Sequence, residues 1–444
     1  METLSGVTAS VIFFGVLALI ATERMHLTIA AFLGAMLLVF LHVLTLDEAI
    51  HYISRSYATL ALFFGVMVMV RAFEPTKIFD YLATQIVVIS KGEGKRLLLG
   101  IVAITAPICA VLPNATTVML LAPLLPTIAQ EINVNVVPLL ILMVFVANSA
   151  GLMTLVGDPA TFIVGDAINM SFADYLMKLG VAGVIAVGVI VALLPILFAD
   201  IWHKRLDNLS QLPHPVVNHP RMLALGSLIV ALVLVMFVIG DQLPVPISPP
   251  AIALLGAALC LLLTHHSGID TVQNILRDID WSTLVFFMSV FVLIGGLQET
   301  GMISAASGLL SFVIGKNIAL GSLVLLFVTG ILSSLIPNIP LVVAMVPLLK
   351  EYLVTVNLAG SDLLATDFAG QVPPEILPLF VAMMFGATLG GNGTLVGASS
   401  NIVAAGIAEQ HGKTITFHGF LRYGLPVMAA QLVVMSLFVT VRFL

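Results

Sequence analysis

Pro113-Asn114 and Pro337-Asn338 each interrupt the middle of a long stretch that carries no charge, residues 97–130 and 317–349. Their surroundings, Ala110-Val111-Leu112-Pro113-Asn114-Ala115-Thr116-Thr117 and Ser334-Leu335-Ile336-Pro337-Asn338-Ile339-Pro340-Leu341, are altered copies of one another. Proline lacks a backbone donor and breaks a helix. Lipid offers no partner to the groups so freed. A break at membrane depth is therefore tolerated only where protein buries it or where it lines a polar cavity. Two related breaks in one chain point to paired half-sites of the kind secondary transporters build at the bilayer midplane.

The composition puts those breaks in a membrane. Of the 444 residues 60% are hydrophobic and 9% charged, with a mean hydropathy of +1.16. A soluble domain carries about 25% charged residues. Uncharged windows of about 20 residues, enough to span a bilayer, recur along the chain. The fold class predicted is an all-α polytopic membrane protein; barrel strands would alternate apolar and polar, and these windows do not. The net charge of −6 is spread over loops. No basic run suits nucleic acid, and no Cys/His spacing suits a metal. Cys109 and Cys260 lie in apolar surroundings and read as small buried hydrophobes. The first apolar segment lacks a basic n-region and a small-residue cleavage site, so it reads as a span.

The chain is one pattern written twice. Thr59-Leu60-Ala61-Leu62-Phe63-Phe64 resembles Thr283-Leu284-Val285-Phe286-Phe287 at an offset of 224, the offset that also separates the two Pro-Asn pairs. Gly34 and Gly256 sit in similar segments at offset 222. Thr154-Leu155-Val156-Gly157-Asp158-Pro159 matches Thr394-Leu395-Val396-Gly397-Ala398-Ser399 at offset 240, after a polar insertion in 357–375. Phe172-Ala173-Asp174-Tyr175-Leu176 resembles Phe417-His418-Gly419-Phe420-Leu421 at offset 245. The first repeat, 1–205, is predicted to hold spans 6–22, 26–44 and 56–73, a hairpin 97–130, a broken helix 134–168 and a helix 179–199. A cytoplasmic linker, 206–221, joins it to the second repeat, 222–444. That repeat reads as spans 222–240, 248–264 and 281–298, a hairpin 317–349, a broken helix 376–408 and a helix 423–442.

The arm from Arg96 to Leu112 is about 24 Å long as a helix, short of the roughly 30 Å hydrocarbon core. Folding at Pro113 therefore predicts a re-entrant hairpin. Two such hairpins leave five crossings per half, about 10 spans in all, with the halves inverted and both termini on one side. The positive charges then divide unevenly. Arg24, Lys77, Lys91, Lys95, Arg96, Lys204, Arg205, Arg221, Arg277, Lys413 and Arg422 fall on one face, with Arg71 near it. Arg55, Lys178, Lys316, Lys350 and Arg442 fall on the other. The richer face is predicted cytoplasmic and both termini extracytoplasmic.

Helix ends at each hairpin tip present free N–H groups or carbonyls to a ligand. Asn114, Thr116 and Thr117 add an amide and two hydroxyls; Asn338 adds an amide, while Ile339 and Pro340 replace the hydroxyls. The plainer role of these residues is to cap the broken helices. A second polar focus runs from Ala147-Asn148-Ser149-Ala150-Gly151 to Gly157-Asp158-Pro159-Ala160-Thr161. Its partner runs from Gly390-Gly391-Asn392-Gly393-Thr394 to Gly397-Ala398-Ser399-Ser400-Asn401. Pro113, Gly157, Pro159, Pro337, Gly391, Gly393 and Gly397 are predicted to unwind the backbone there; the plainer role of the glycines is close helix packing. Asp158 is the only acid in either focus, and its repeat counterpart is Ala398. A carboxyl at membrane depth is a functional candidate, suited to proton exchange or to holding sodium. Glu74 and Asp166 lie nearer predicted helix ends and are weaker candidates. Neither focus contains Lys or Arg, which favours a small solute without net charge.

Leu389-Gly390-Gly391-Asn392-Gly393-Thr394-Leu395-Val396-Gly397-Ala398-Ser399, then Asn401-Ile402-Val403 and Ala408-Glu409-Gln410-His411-Gly412, resembles the signature of the ArsB/P-protein permeases. Gly157-Asp158-Pro159 and Leu112-Pro113-Asn114-Ala115-Thr116-Thr117 resemble first-half motifs of the same group. The group belongs to the ion transporter superfamily, with NhaD-type sodium/proton antiporters and dicarboxylate/sodium symporters. The resemblance implies a scaffold domain, a mobile transport domain, an elevator motion and a homodimer. It implies substrates among arsenite, antimonite, silicic acid, anions and sodium, and it allows a soluble ATPase partner on the cytoplasmic side. The chain departs from the group at Ala160 and Thr161, where many relatives carry Pro and Asn, so Asn401 is expected to face Thr161.

The expectation is a secondary active transporter of the cell membrane, without cofactor. It would exchange protons at Asp158 for a small oxyacid, arsenite or antimonite, in the direction of efflux. Asn114, Thr116, Thr117, Asn338, Asn392, Thr394, Ser399 and Asn401 would line the site. The alternatives are a sodium/proton antiporter and a sodium-coupled anion or dicarboxylate carrier. A passive channel could use the same breaks. An enzyme is disfavoured, since neither HExxH nor GxSxG occurs.

Overall fold

The computed structural model describes residues 2–22, 24–205, 217–365, 368 and 370–444. Most of the expected linker 206–221 lies outside the described residues. Those described form helices and connecting turns, with no strand among them.

The first half opens with α1 (Glu2–Ala21), α2 (Leu27–Phe40), α3 (Leu46–Arg55) and α4 (Tyr57–Phe73). Next come α5 (Ile78–Ser90), α6 (Gly94–Cys109), α7 (Asn114–Leu121) and α8 (Leu125–Glu131). It closes with α9 (Val136–Ala150), α10 (Pro159–Ala167), α11 (Phe172–Lys178), α12 (Gly180–Leu197) and α13 (Ala199–Trp202). The second half begins with α14 (Pro220–Ile239), α15 (Pro249–Ser267), α16 (Val272–Arg277) and α17 (Trp281–Glu299). It continues through α18 (Met302–Ile314), α19 (Ile318–Leu335), α20 (Asn338–Thr355), α21 (Leu377–Gly390), α22 (Ser399–Gln410) and α23 (Phe417–Phe443).

Ten described helices are long and apolar enough to cross a membrane. They are not the same ten that the sequence predicts. The 14-residue α2 and α21 fall short of that length, while α19 and α20, the arms of the second hairpin, have 18 residues each. Each arm is therefore about 27 Å long, close to the full hydrocarbon thickness. The first hairpin differs because Pro123 and Pro126 cut its second arm into α7, a 3₁₀ turn at Ala122–Leu124, and α8.

Several short helices escape the hydropathy reading, four of them with a clear local cause or counterpart. The first, α3, is too polar for a span and is set by a capping box between Thr45 and Glu48. Another, α16, has only six residues. The remaining two, α5 and α18, begin and end at the repeat offset of 224 and pack against α6 and α20 respectively.

Packing follows sequence closely. A helix that is apolar all round belongs in the interior. Residues 139–150 of α9 and 378–390 of α21 are buried on every side, whereas α1 and α14 expose large apolar side chains. Backbones approach where side chains vanish. A Cβ on Gly65 would lie 2.7 Å from the Ala253 carbonyl carbon, so α4 and α15 touch there. At the end of α4, Arg71 bonds Glu74, Asp270 and Asp278 at 3.1, 3.3 and 2.7 Å. Bonds from Arg71 and Arg277 hold the Asp278 carboxyl below the usual range. This accounts for Glu74 as a tether.

Candidate solute and coupling site

The breaks predicted from sequence are present. Pro113 and Pro337 adopt nearly the same backbone, φ −54°, ψ 142° and φ −52°, ψ 140°, and α7 and α20 start directly after them. Neither proline position supplies a side-chain cap to its helix. The asparagines are thus not spent as N-caps, although Asn114 Oδ1 accepts the Ala115 N–H at 2.8 Å. The second pair of breaks separates α9 from α10 over 151–158 and α21 from α22 over 391–398. Extended backbone at Asp158 and Ala398 delivers the chain into the next helix.

Each unwound segment is tied to its own hairpin by matching contacts. Thr154 Oγ1 donates to the Ala110 carbonyl at 2.5 Å, and Thr394 Oγ1 donates to the Ser334 carbonyl. Cys109 Sγ donates to the Ala147 carbonyl at 2.9 Å, and Ser333 Oγ to the Ala387 carbonyl at 2.5 Å. The glycines are required by proximity. A Cβ on Gly157 would lie 2.7 Å from the Cys109 carbonyl, and one on Gly397 would lie 3.0 Å from that of Ser333. Across the halves, α10 packs on α20 and α22 on α7.

This scaffolding brings both tips to one carboxyl. Asn338 Nδ2 donates to the two oxygens of Asp158 at 3.0 and 3.2 Å, and Asn114 Nδ2 reaches Oδ2 at 3.5 Å. Asp158 Oδ1 also accepts the Ala160 N–H at 2.8 Å, which makes it the N-cap of α10. Its residue is 1% exposed. No Lys or Arg bonds it among the described residues; the bonds it accepts come from the Asn114 and Asn338 amides and from the N-terminus of α10. At membrane depth such a carboxylate calls for a proton or a cation.

A second amide stands behind it. Asn148 Oδ1 accepts from Asn114 Nδ2 at 3.2 Å and from Ser400 Oγ at 2.6 Å. Its Nδ2 donates to Asn392 Oδ1 and Asn401 Oδ1, both at 3.1 Å. An amide side chain has two donors and two lone pairs, and Asn148 uses them all. Asn392 Nδ2 continues to Ser149 Oγ at 3.1 Å and Gln431 Oε1 at 2.9 Å. Gln431 Nε2 donates to Ser149 Oγ at 2.8 Å and to the Ala186 carbonyl at 3.0 Å.

The structure therefore joins Asn114, Asn338, Asp158, Asn392 and Asn401. Thr394 belongs through its ties to Ser334 and, by its carbonyl, to Asn401 Nδ2 at 2.9 Å. Three predicted residues fall outside the network. Thr116 and Ser399 are half-buried and make no bond into it, and Thr117 reaches only the Leu112 carbonyl at 3.5 Å. Asn401 faces Asn148, not Thr161, whose hydroxyl is held by the Asp158 carbonyl at 2.7 Å. Thr161, the second position after Gly157-Asp158-Pro159, is thus occupied by a local turn bond. Among the weaker candidates, Asp166 lies at the far end of α10, away from the network.

Asn148, Ser149, Ser400 and Gln431 complete the site without having been singled out. The first three lie inside the polar foci. Gln431 stands alone in an otherwise apolar stretch of α23, and a buried amide at membrane depth was the available signal.

Paired broken helices that meet on a buried carboxyl, in a chain with ten span-length apolar helices, define a multi-pass membrane transporter. The chain belongs to the citrate transporter family, whose model matches residues 17–370. It is 68% identical over 428 residues to an uncharacterised transporter of Synechocystis sp., covering 96% of this chain and 95% of the relative. A transporter of Mycobacterium tuberculosis is 31% identical over 442 residues, 98% of either chain. Human P protein is 28% identical over 509 residues, 95% of this chain and 58% of its own length. The P-protein side of the expected resemblance is therefore present. The arsenical specificity does not appear among these relatives.

Proposed function

We propose that this chain is a secondary active carrier that moves a small oxyacid in a charge-neutralised form, coupled to protons taken up and released at Asp158. The observation that supports it most is the meeting of Asn114 and Asn338, one from each hairpin tip, on that single carboxyl. A proton bound there removes the one charge in the network. A proton lost returns it and rearranges every amide that donates to it. A carrier needs such a linkage between occupancy and geometry. The halves act as inverted repeats, with α6–α10 and α19–α22 forming the mobile part that swings the site between the two faces, and the carrier works as a homodimer with both termini extracytoplasmic.

Two cargo readings follow from the lack of basic side chains at Asp158. Arsenite or antimonite, uncharged at neutral pH, would exchange hydrogen bonds with the amides directly. A citrate-like polycarboxylate would enter with co-bound cations, and the family's description favours this second reading. Transport into inverted vesicles under an imposed pH gradient separates the cases. Gradient-driven movement of either solute, lost in Asp158→Asn, supports proton coupling. Movement driven by sodium alone, with no response to the pH gradient, would replace it by a sodium-coupled mechanism.

A further inference from the structure

Away from the amide network, a cavity of about 360 Å³ separates α10 and α20 from α3, α17 and α18. Its inner end is apolar, with Ile163, Phe291, Ile294, Val343 and Val346. Its outer end is polar, with Arg55, Ser56, Gln298, Ser304, Lys350 and the acid Glu351. The inner end is close to the coupling site along two helices. Ile163 is five residues beyond Asp158 on α10, and Val343 is five beyond Asn338 on α20. Each step is about 7.5 Å of helix.

The two cations at the outer end are held by rings. The Arg55 guanidinium lies 5.4 Å from the centre of the Tyr52 ring, and the Lys350 ammonium 5.5 Å from that of Phe368. Neither makes an ion pair within 4.0 Å among the described residues. Three acids lie around them, and one, Glu351, is itself part of the cavity wall. Glu351 accepts from Ser304 Oγ at 2.8 Å and Glu299 from Tyr52 Oη at 2.9 Å. Asp166 acts on Lys350 only from beyond contact distance. Charge bias had already assigned Arg55 and Lys350 to the same membrane face, and the cavity joins them.

We infer that this cavity is a binding vestibule for a small polycarboxylate, with Arg55 and Lys350 as its anion-recognition pair. Two cations backed by rings, with Gln298 beside them, offer charge-assisted bonds to a ligand with two or more carboxylates, while the Ser56 and Ser304 hydroxyls already donate to the Tyr52 carbonyl and to Glu351. The vestibule collects the cargo as an anion, and Asp158 receives it only once protons or cations have neutralised it. This inference rests on the reading of Asp158 as the coupling site, and it selects the citrate-like cargo over the uncharged one.

The test uses citrate and the purified full chain. Titration calorimetry is run on the wild type, on Asp158→Asn, and on Arg55→Gln and Lys350→Gln, with Arg55→Lys and Lys350→Arg as charge-preserving controls. Citrate binding that survives in Asp158→Asn, weakens about tenfold in each glutamine variant, as expected for one charge-assisted bond lost, and recovers in the controls supports the vestibule. A second readout is modification of Ser56→Cys and Ser304→Cys by a membrane-impermeant thiol reagent. Slowing by citrate supports the site. Unchanged affinity in both glutamine variants, or labelling that citrate does not slow, overturns it. Binding in Asp158→Asn is read without transport, so failure of the coupling proposal remains separate.

Discussion

The segment 151–158 and the segment 391–398 are built alike and charged differently. Both follow a helix that is buried on every side over its last three turns, both are tied by a threonine to a hairpin carbonyl, and both lean a glycine on the matching neighbouring backbone. One ends in Asp158 and the other in Ala398. The amides redistribute accordingly. Asn148 is the hub of the network, while the residue at its repeat position, Thr388, is buried with a hydroxyl that has no partner among the described residues. The two frames match in these ties, but the charge sits in the first, and the second lines it with amides. One titratable group shared by two tips is also the simplest way to link both tips to one proton.

The largest effect expected from breaking this asymmetry is on transport. Asp158→Asn keeps an acceptor for the Ala160 N–H and for Asn338 while removing the charge. Gradient-driven flux should fall by more than about a hundredfold, in the range seen when a group essential to proton transfer is removed, with the protein still folded by thermal unfolding. Flux that stays within a factor of two of wild type would take Asp158 out of the coupling step. The opposite change, Ala398→Asp, places an acid where the donors are already committed: Asn114 Nδ2 is shared between Asn148 at 3.2 Å and Asp158 at 3.5 Å. An uncompensated buried charge costs about 3–5 kcal/mol. The variant should unfold at markedly lower temperature, and a stable, active Ala398→Asp would mean that the second frame retains a usable acid site.

Gln431→Leu probes the amide wall alone. It leaves Asn392 Nδ2, Ser149 Oγ and the Ala186 carbonyl each short of a partner. The loss should be about 2–3 kcal/mol, the desolvation penalty of buried polar groups left unsatisfied, measured by denaturation in detergent. A neutral result would show that water enters there in place of the amide.

Sequence reasoning reached the breaks and the buried acid because each is a local contradiction: proline, glycine or charge where lipid depth forbids it. It missed what is carried by three-dimensional pairing. Asn148 and Gln431 are 283 residues apart in sequence and joined through Ser149 and Asn392, which no spacing reveals. Thr116 and Ser399 stand two residues from Asn114 and Asn401 and so do not share their helix face, while Thr117, three residues from Asn114, turns its hydroxyl back to the Leu112 carbonyl. The 16-residue α6 has the length read from the sequence for that arm, whereas α19 and α20 have 18 residues each, with ends that the apolar pattern leaves unmarked. The short helices α5 and α18 looked like loops because neither is long enough to read as a span.

The finest test compares the two threonines. Thr154 does two jobs: its hydroxyl donates to Ala110, and it accepts the N–H groups of Val156 and Gly157 at 3.2 and 3.3 Å. The Thr394 hydroxyl makes only its bond to Ser334. Valine keeps the shape of either and removes the hydroxyl. At about 1 kcal/mol per net hydrogen bond, Thr394→Val should lower stability by about that amount, and Thr154→Val by about twice as much because it also strands two donors of the segment that carries Asp158. Thr154→Val should further weaken proton coupling, measured as solute moved per imposed pH gradient, while Thr394→Val leaves that ratio near wild type. Equal losses in both variants would place the whole asymmetry in the carboxyl. Unequal losses mean that the frame around Asp158 has itself been reinforced to hold the charge still.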